Sequence, residues 1–146
     1  MRIQYRAKAL LVYVFVAIGI VLGVAPPAHA YSTIGFSAYG PELENSVSFT
    51  EGSFTWYNRT ANVQGHVVDL GWGSTTAIFE AYAGDRKIDS ETRTANDTTD
   101  LTWNRSFNFT IGDTDLVGGI NLIKVTVCKN MTGFRPCGTS KYYPRP

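Results

Sequence analysis

Ala77-Ile78-Phe79-Glu80-Ala81-Tyr82-Ala83 sets the fold class, because apolar and bulkier or polar residues alternate along it with a period of two. Ala77, Phe79, Ala81 and Ala83 fall on one face, and Ile78, Glu80 and Tyr82 on the other. A helix would need apolar positions three or four apart, and no stretch after residue 30 keeps that spacing for more than a turn. Small residues on the inner face let an opposing sheet approach closely. Gly71-Trp72-Gly73-Ser74 before this segment reads as a loop, and Gly84-Asp85 after it as a turn.

The same period recurs outward in both directions. Trp103 to Ile111 keeps Trp103, Arg105, Phe107, Phe109 and Ile111 in phase, and Phe107, Phe109 and Ile111 are core candidates. Ile120 to Cys128 is rich in β-branched residues, with Ile123, Val125 and Val127 expected inward. Leu116, in the connection between Gly112 and Gly119, is expected to plug the core. Lys87 to Thr94 is polar around Ile88, as suits an edge strand that charge keeps from pairing with other chains. Asn62 to Leu70 makes another strand, in which Gly65 implies a bulge or a close backbone approach. Ser46 to Tyr57 reads as a first strand, or as a hairpin about Glu51-Gly52. Residues 31 to 45, with Gly35, Gly40 and Pro41, read as an irregular N-terminal arm. About seven short strands in a hundred residues predict an all-β, two-sheet sandwich over 46–146.

Residues 1 to 30 have the form of an export signal. Arg2, Arg6 and Lys8 precede an apolar run from Ala9 to Ala25, and Ala28-His29-Ala30 offers small residues at the cleavage positions. An uncleaved anchor is disfavoured by Pro26-Pro27 and by the lack of a basic cluster after it. The expected product begins near Tyr31 and is secreted, free of the membrane, with retention at the cell wall left open. Three of the 13 Lys and Arg lie in the signal, leaving 10 against 12 Asp and Glu. That balance offers no footprint for nucleic acid, and the interspersed charges read as a solvated surface.

Cys128 and Cys137 are the only cysteines, and in an exported chain they read as a disulfide. His66 is the one histidine after residue 30, so neither structural zinc nor a histidine-based nucleophile is well supplied. The pairs Glu42 with Glu44, Asp97 with Asp100 and Asp113 with Asp115 sit in turns, where Asp and Asn bond neighbouring backbone. The turns at 96–100 and 112–115 carry oxygen ligands suited to calcium but not the spacing of an EF-hand loop. Five Asn-x-Ser/Thr sequons, at Asn58, Asn96, Asn104, Asn108 and Asn130, could accept sugar only in a host that glycosylates them. No catalytic residue, metal or cofactor is assigned, and a monomeric, non-enzymatic protein is expected.

Aromatic residues exceed what so small a core must bury, so some are expected at the surface. Trp72 between two glycines is the best projecting ring, and Trp56, Tyr57 and Trp103 are further candidates for binding. Met131, Phe134 and Arg135 in the disulfide-bounded loop 129–136 are anchor types that a pre-organised inhibitor loop would present. An extracellular polysaccharide or a secreted or cell-surface protein is the expected partner, with inhibition of a secreted hydrolase as the alternative.

The order of segments resembles bacterial immunoglobulin-like domains. It runs from a strand with Gly65 and Asp69 through Ala77 to Gly84 and Ser106 to Ile111, then Leu116-Val117-Gly118-Gly119 leads to Ile123-Lys124-Val125-Thr126-Val127. The resemblance covers about residues 60 to 128 and implies an immunoglobulin-like sandwich without implying an activity. The whole chain also resembles small secreted actinobacterial proteins with no assigned role.

Overall fold

The alternation of Ala77–Ala83 is realised in a strand in which Ala77, Phe79 and Ala81 are sealed from solvent, Ala83 at its end is half-buried, and the even positions lie on the outer face. The computed structural model describes residues 31–96 and 103–146. The expected export signal, residues 1–30, and the turn carboxylates Asp97 and Asp100 lie outside the described residues. Eight strands are found among those described: β1 Ser32–Tyr39, β2 Val47–Trp56, β3 Thr60–Leu70, β4 Ser74–Ala83, β5 Arg86–Asn96, β6 Trp103–Gly112, β7 Leu122–Asn130 and β8 Lys141–Pro144. They form two antiparallel four-stranded sheets, ordered β1-β2-β3-β6 and β5-β4-β7-β8. The sheets pack face to face over a single apolar core in which Phe54, Phe79, Ile111, Ile123, Val125 and Val127 have no exposed surface or almost none. Leu116 packs against that core as expected, and the polar strand β5 is an edge.

Two expectations need correction, and two alternatives are decided. The stretch 31–45 is not an irregular arm: Ser32–Tyr39 pairs with β2 along its whole length and buries Phe36 and Ala38. Glu51-Gly52 is mid-strand, not a turn. Val47 and Phe49 consequently face outward while Phe54 and Trp56, of opposite parity, face the core, and the buried partners of Phe54 on that face are Ser48 and Thr50. Gly65 marks no bulge, since the registers on both sides of β3 run unbroken. It sits opposite Gly52, and a Cβ on either glycine would collide with the facing backbone, at Gln64 O or Glu51 O. The glycine pair therefore marks the close approach that was the other reading. Finally, not all charge is solvated, because Asp69 and Lys129 are fully buried.

The remaining charges behave as surface groups. On the outer face of the second sheet Glu80 lies 2.9 Å from Lys124 and 3.1 Å from Lys87, on the strands to either side. Hydrogen bonding from Lys124, seconded by Lys87, lowers the Glu80 pKa against a smaller opposing effect of burial. Glu80 in turn raises that of Lys124.

Candidate functional site

The antiparallel registers bring one set of strand ends together. Tyr39 faces Phe49, Val47 faces Leu70, Asp69 faces Trp103, and Ser74 faces both Asn96 and Asn130. The β1–β2 turn, the Gly71–Gly73 loop, the start of β6 and the hairpin after β7 thus share one end of the sandwich. This end carries most of the exposed large apolar side chains: Trp72 is 79% exposed, and Tyr39, Val47, Trp103 and Phe134 are 50% to 59% exposed.

The Trp72 loop is held from below. Lys129 Nζ, at the end of β7, lies 2.6 Å from Asp69 Oδ1 at the end of β3 and donates also to the carbonyls of Leu70 (3.2 Å) and Gly71 (3.4 Å). Thr75 Oγ1 donates to the same carboxylate oxygen and lies 2.8 Å from Ser48 Oγ. A buried ion pair is tolerated when both charges are hydrogen-bonded in this way. Gly73 completes the join between loops. Its φ of 93° suits glycine, and a Cβ there would fall on the carbonyl oxygen of Asn130.

The second loop is stapled. Cys128 and Cys137 form the expected disulfide, with Cα atoms 4.0 Å apart. Inside it the chain is zipped by Lys129 N–H to Pro136 O at 2.9 Å and by mutual bonds between Met131 and Phe134, about a Thr132-Gly133 turn. Phe134 and Arg135 are exposed on this hairpin and Met131 is half-buried. Beside it, between residues 40–48 and 137–141, runs an open groove of about 760 Å³ lined by Tyr39, Leu43, Val47 and Gly138, with Glu42 and Lys141 among its charged walls.

Of the seven binding residues expected from sequence, five meet at this end: Trp72, Trp103, Met131, Phe134 and Arg135. The other two are at the opposite end. Trp56 is 2% exposed and belongs to the core, which removes it as a contact residue, and its indole N–H has no partner among the described residues. Tyr57 is half-buried, with its ring edge-on to Tyr31 at 4.8 Å. Val47 and the groove escaped the sequence reading, and the outward phase of Val47 follows only once Glu51-Gly52 is known not to turn.

Elsewhere, the Asp113 carboxylate accepts the backbone N–H of Asp115 at 2.8 Å, an ordinary turn bond. His66 lies 3.4 Å from Glu51 on the outer face of the first sheet. Asn130 is half-buried and donates to Ser74 and Thr76, while Asn58, Asn104 and Asn108 are exposed. Among the described residues no cluster of three or more His, Cys, Asp and Glu is placed to hold a metal ion, and no helix is long and apolar enough to cross a membrane. No protein-family model, curated protein or solved structure matches the chain.

Proposed function

We propose that this chain is a secreted, non-enzymatic binding module that engages an extracellular polysaccharide or protein through the end of the sandwich carrying Trp72. The observation that carries this reading is the placement of Tyr39, Val47, Trp72, Trp103 and Phe134, all half exposed or more, at one end of the sandwich, where Tyr39 and Val47 line the groove. Exposed aromatic rings stack on sugars and anchor protein contacts, and their cost of ordering is low when the loops beneath are fixed. Lys129 and the disulfide supply that fixation. The β4–β7 and β3–β6 pairings, each joining strands distant in sequence, support an immunoglobulin-like arrangement of the kind that presents loops at its ends. A disulfide supports export through an oxidising compartment.

The test is co-sedimentation of the secreted protein with insoluble cell-wall polysaccharide, and capture of protein partners from the same fraction. Trp72→Ala is expected to weaken retention by about thirtyfold, the effect of losing about 2 kcal/mol at a contact anchor. Its melting temperature should not change. Wild-type protein retained by neither fraction would remove the proposal.

The zipped hairpin favours a second reading, inhibition of a secreted hydrolase, because it holds Phe134 and Arg135 outward on a stapled support. Arg135→Ala should then raise the inhibition constant in a panel of secreted hydrolases, and a panel with no inhibited member excludes it.

A further inference from the structure

The edge strands of the two sheets are not equally defended. β5 carries Arg86, Lys87, Asp89, Glu91 and Arg93, β8 is four residues long and ends at Pro144, and β6 has Asn104, Arg105 and Asn108 exposed. β1 has no charge and no proline over eight residues, and its register with β2 is unbroken. A strand edge of that character is where another strand pairs.

The direction of its main chain is fixed by two bonds. Ser37, an odd position, meets the Tyr143 hydroxyl with its N–H (3.0 Å) and its carbonyl, so odd positions point off the sheet. Gly40, an even position, bonds back to Ser48 O of β2. From Ser37 onward the edge is covered, by Tyr143 and by Gly138, which abuts Tyr39 O. By the same parity the N–H and C=O groups of Thr33 and Gly35 point away from β2, and outside the strand ladder no bond to them is found among the described residues. An open groove of about 540 Å³ lies beside Gly35 and is lined also by Gly52 and His66, and Tyr31, on the same face as Gly35, is 61% exposed.

We infer that the chain pairs with a second copy of itself, β1 against β1, antiparallel about a two-fold axis at Thr33. This register sets Thr33 opposite Thr33 and Tyr31 of each copy opposite Gly35 of the other. Each Tyr31 ring, edge-on to Tyr57 in the single chain, then swings across the edge to cover a glycine and enter the groove beside it, a cross-strand pairing that aromatic residues favour. The contact is self-complementary, so it closes at two copies, and the two β1-β2-β3-β6 sheets continue as one. This departs from the monomer that the sequence suggests, and it does not depend on what the Trp72 end binds.

Sedimentation equilibrium of the secreted protein, carried from low micromolar to near-millimolar concentration, reads the result. The wild type is expected to be a reversible dimer, weakened at least about tenfold by Tyr31→Ala, the scale of losing one buried aromatic contact. Thr33→Pro removes an N–H that β2 does not use, and Gly35→Lys adds a Cβ that meets only Gly52 O at 3.8 Å. Both variants should keep the wild-type melting temperature and sediment as monomers. A wild type that stays monomeric throughout, or a dimer that survives either substitution in a folded chain, overturns the inference.

Discussion

Lys129 shows how one side chain connects core to surface: its stem and ammonium are sealed inside, yet two of its acceptors are carbonyls of the loop that presents Trp72. Lys129→Met would leave the Asp69 carboxylate buried without its cation, which should destabilise the fold by about 3–5 kcal/mol in urea unfolding. Replacing both, as Asp69→Leu with Lys129→Met, should recover most of that loss, because two apolar groups carry no desolvation cost. Their burial had a signal in the sequence. Asp69 shares the parity of Val63 and Val67, and Lys129 that of Ile123, Val125 and Val127. The reading of charge as solvated overrode this, because the partners are 60 residues apart and only the packing of two sheets brings them together. Trp56 had a similar signal in its phase with Phe54.

Among the elements, those with strict alternation were legible: β4, β6 and β7 run where their residues place them. β1 also alternates, with Ile34, Phe36 and Ala38 inward, but Gly35, Gly40 and Pro41 resembled loop punctuation. β2 was ambiguous for a physical reason, since its apolar residues change parity at Gly52 and polar Ser48 and Thr50 occupy inner positions through hydrogen bonds. At the crossing of β2 and β3, Gly65→Ala should cost at least about 2 kcal/mol, because its Cβ meets backbone that cannot yield without parting the strands. Calorimetry would register it as a lower melting temperature. On the outer face of β4, the lowered pKa of Glu80 means that its bonds to Lys124 and Lys87 stabilise the fold above the ordinary glutamate range. That contribution is lost as pH falls through the lower folded-state value. The stability gap between wild type and Glu80→Gln, measured across acid pH, should therefore close below the ordinary glutamate range. For the hairpin, removing the disulfide by paired Cys128→Ala and Cys137→Ala changes should cost roughly 2.5–3 kcal/mol, from the entropy of a short closed loop. Urea midpoints compared under matched conditions would measure it.

At the scale of the whole molecule, two antiparallel sheets enclose one core, and the ends of their strands differ in character. One end gathers Tyr39, Val47, Trp72, Trp103 and Phe134 over a buried ion pair and a disulfide. Away from it, Tyr31, Val117 and Tyr142 are the remaining large apolar side chains exposed among the described residues. The sandwich was legible because alternation is a local property. The gathering was not, since it depends on which strand ends the topology superposes. The most direct measurement is a single retention experiment on the cell-wall fraction, comparing alanine variants at Trp72, Trp103 and Phe134 with variants at Val117 and Tyr142. The account predicts that the first three lose retention while the last two bind as wild type, all with unchanged melting temperatures. Retention lost at Val117 or Tyr142 instead, or unaffected by every one of the five, would contradict it.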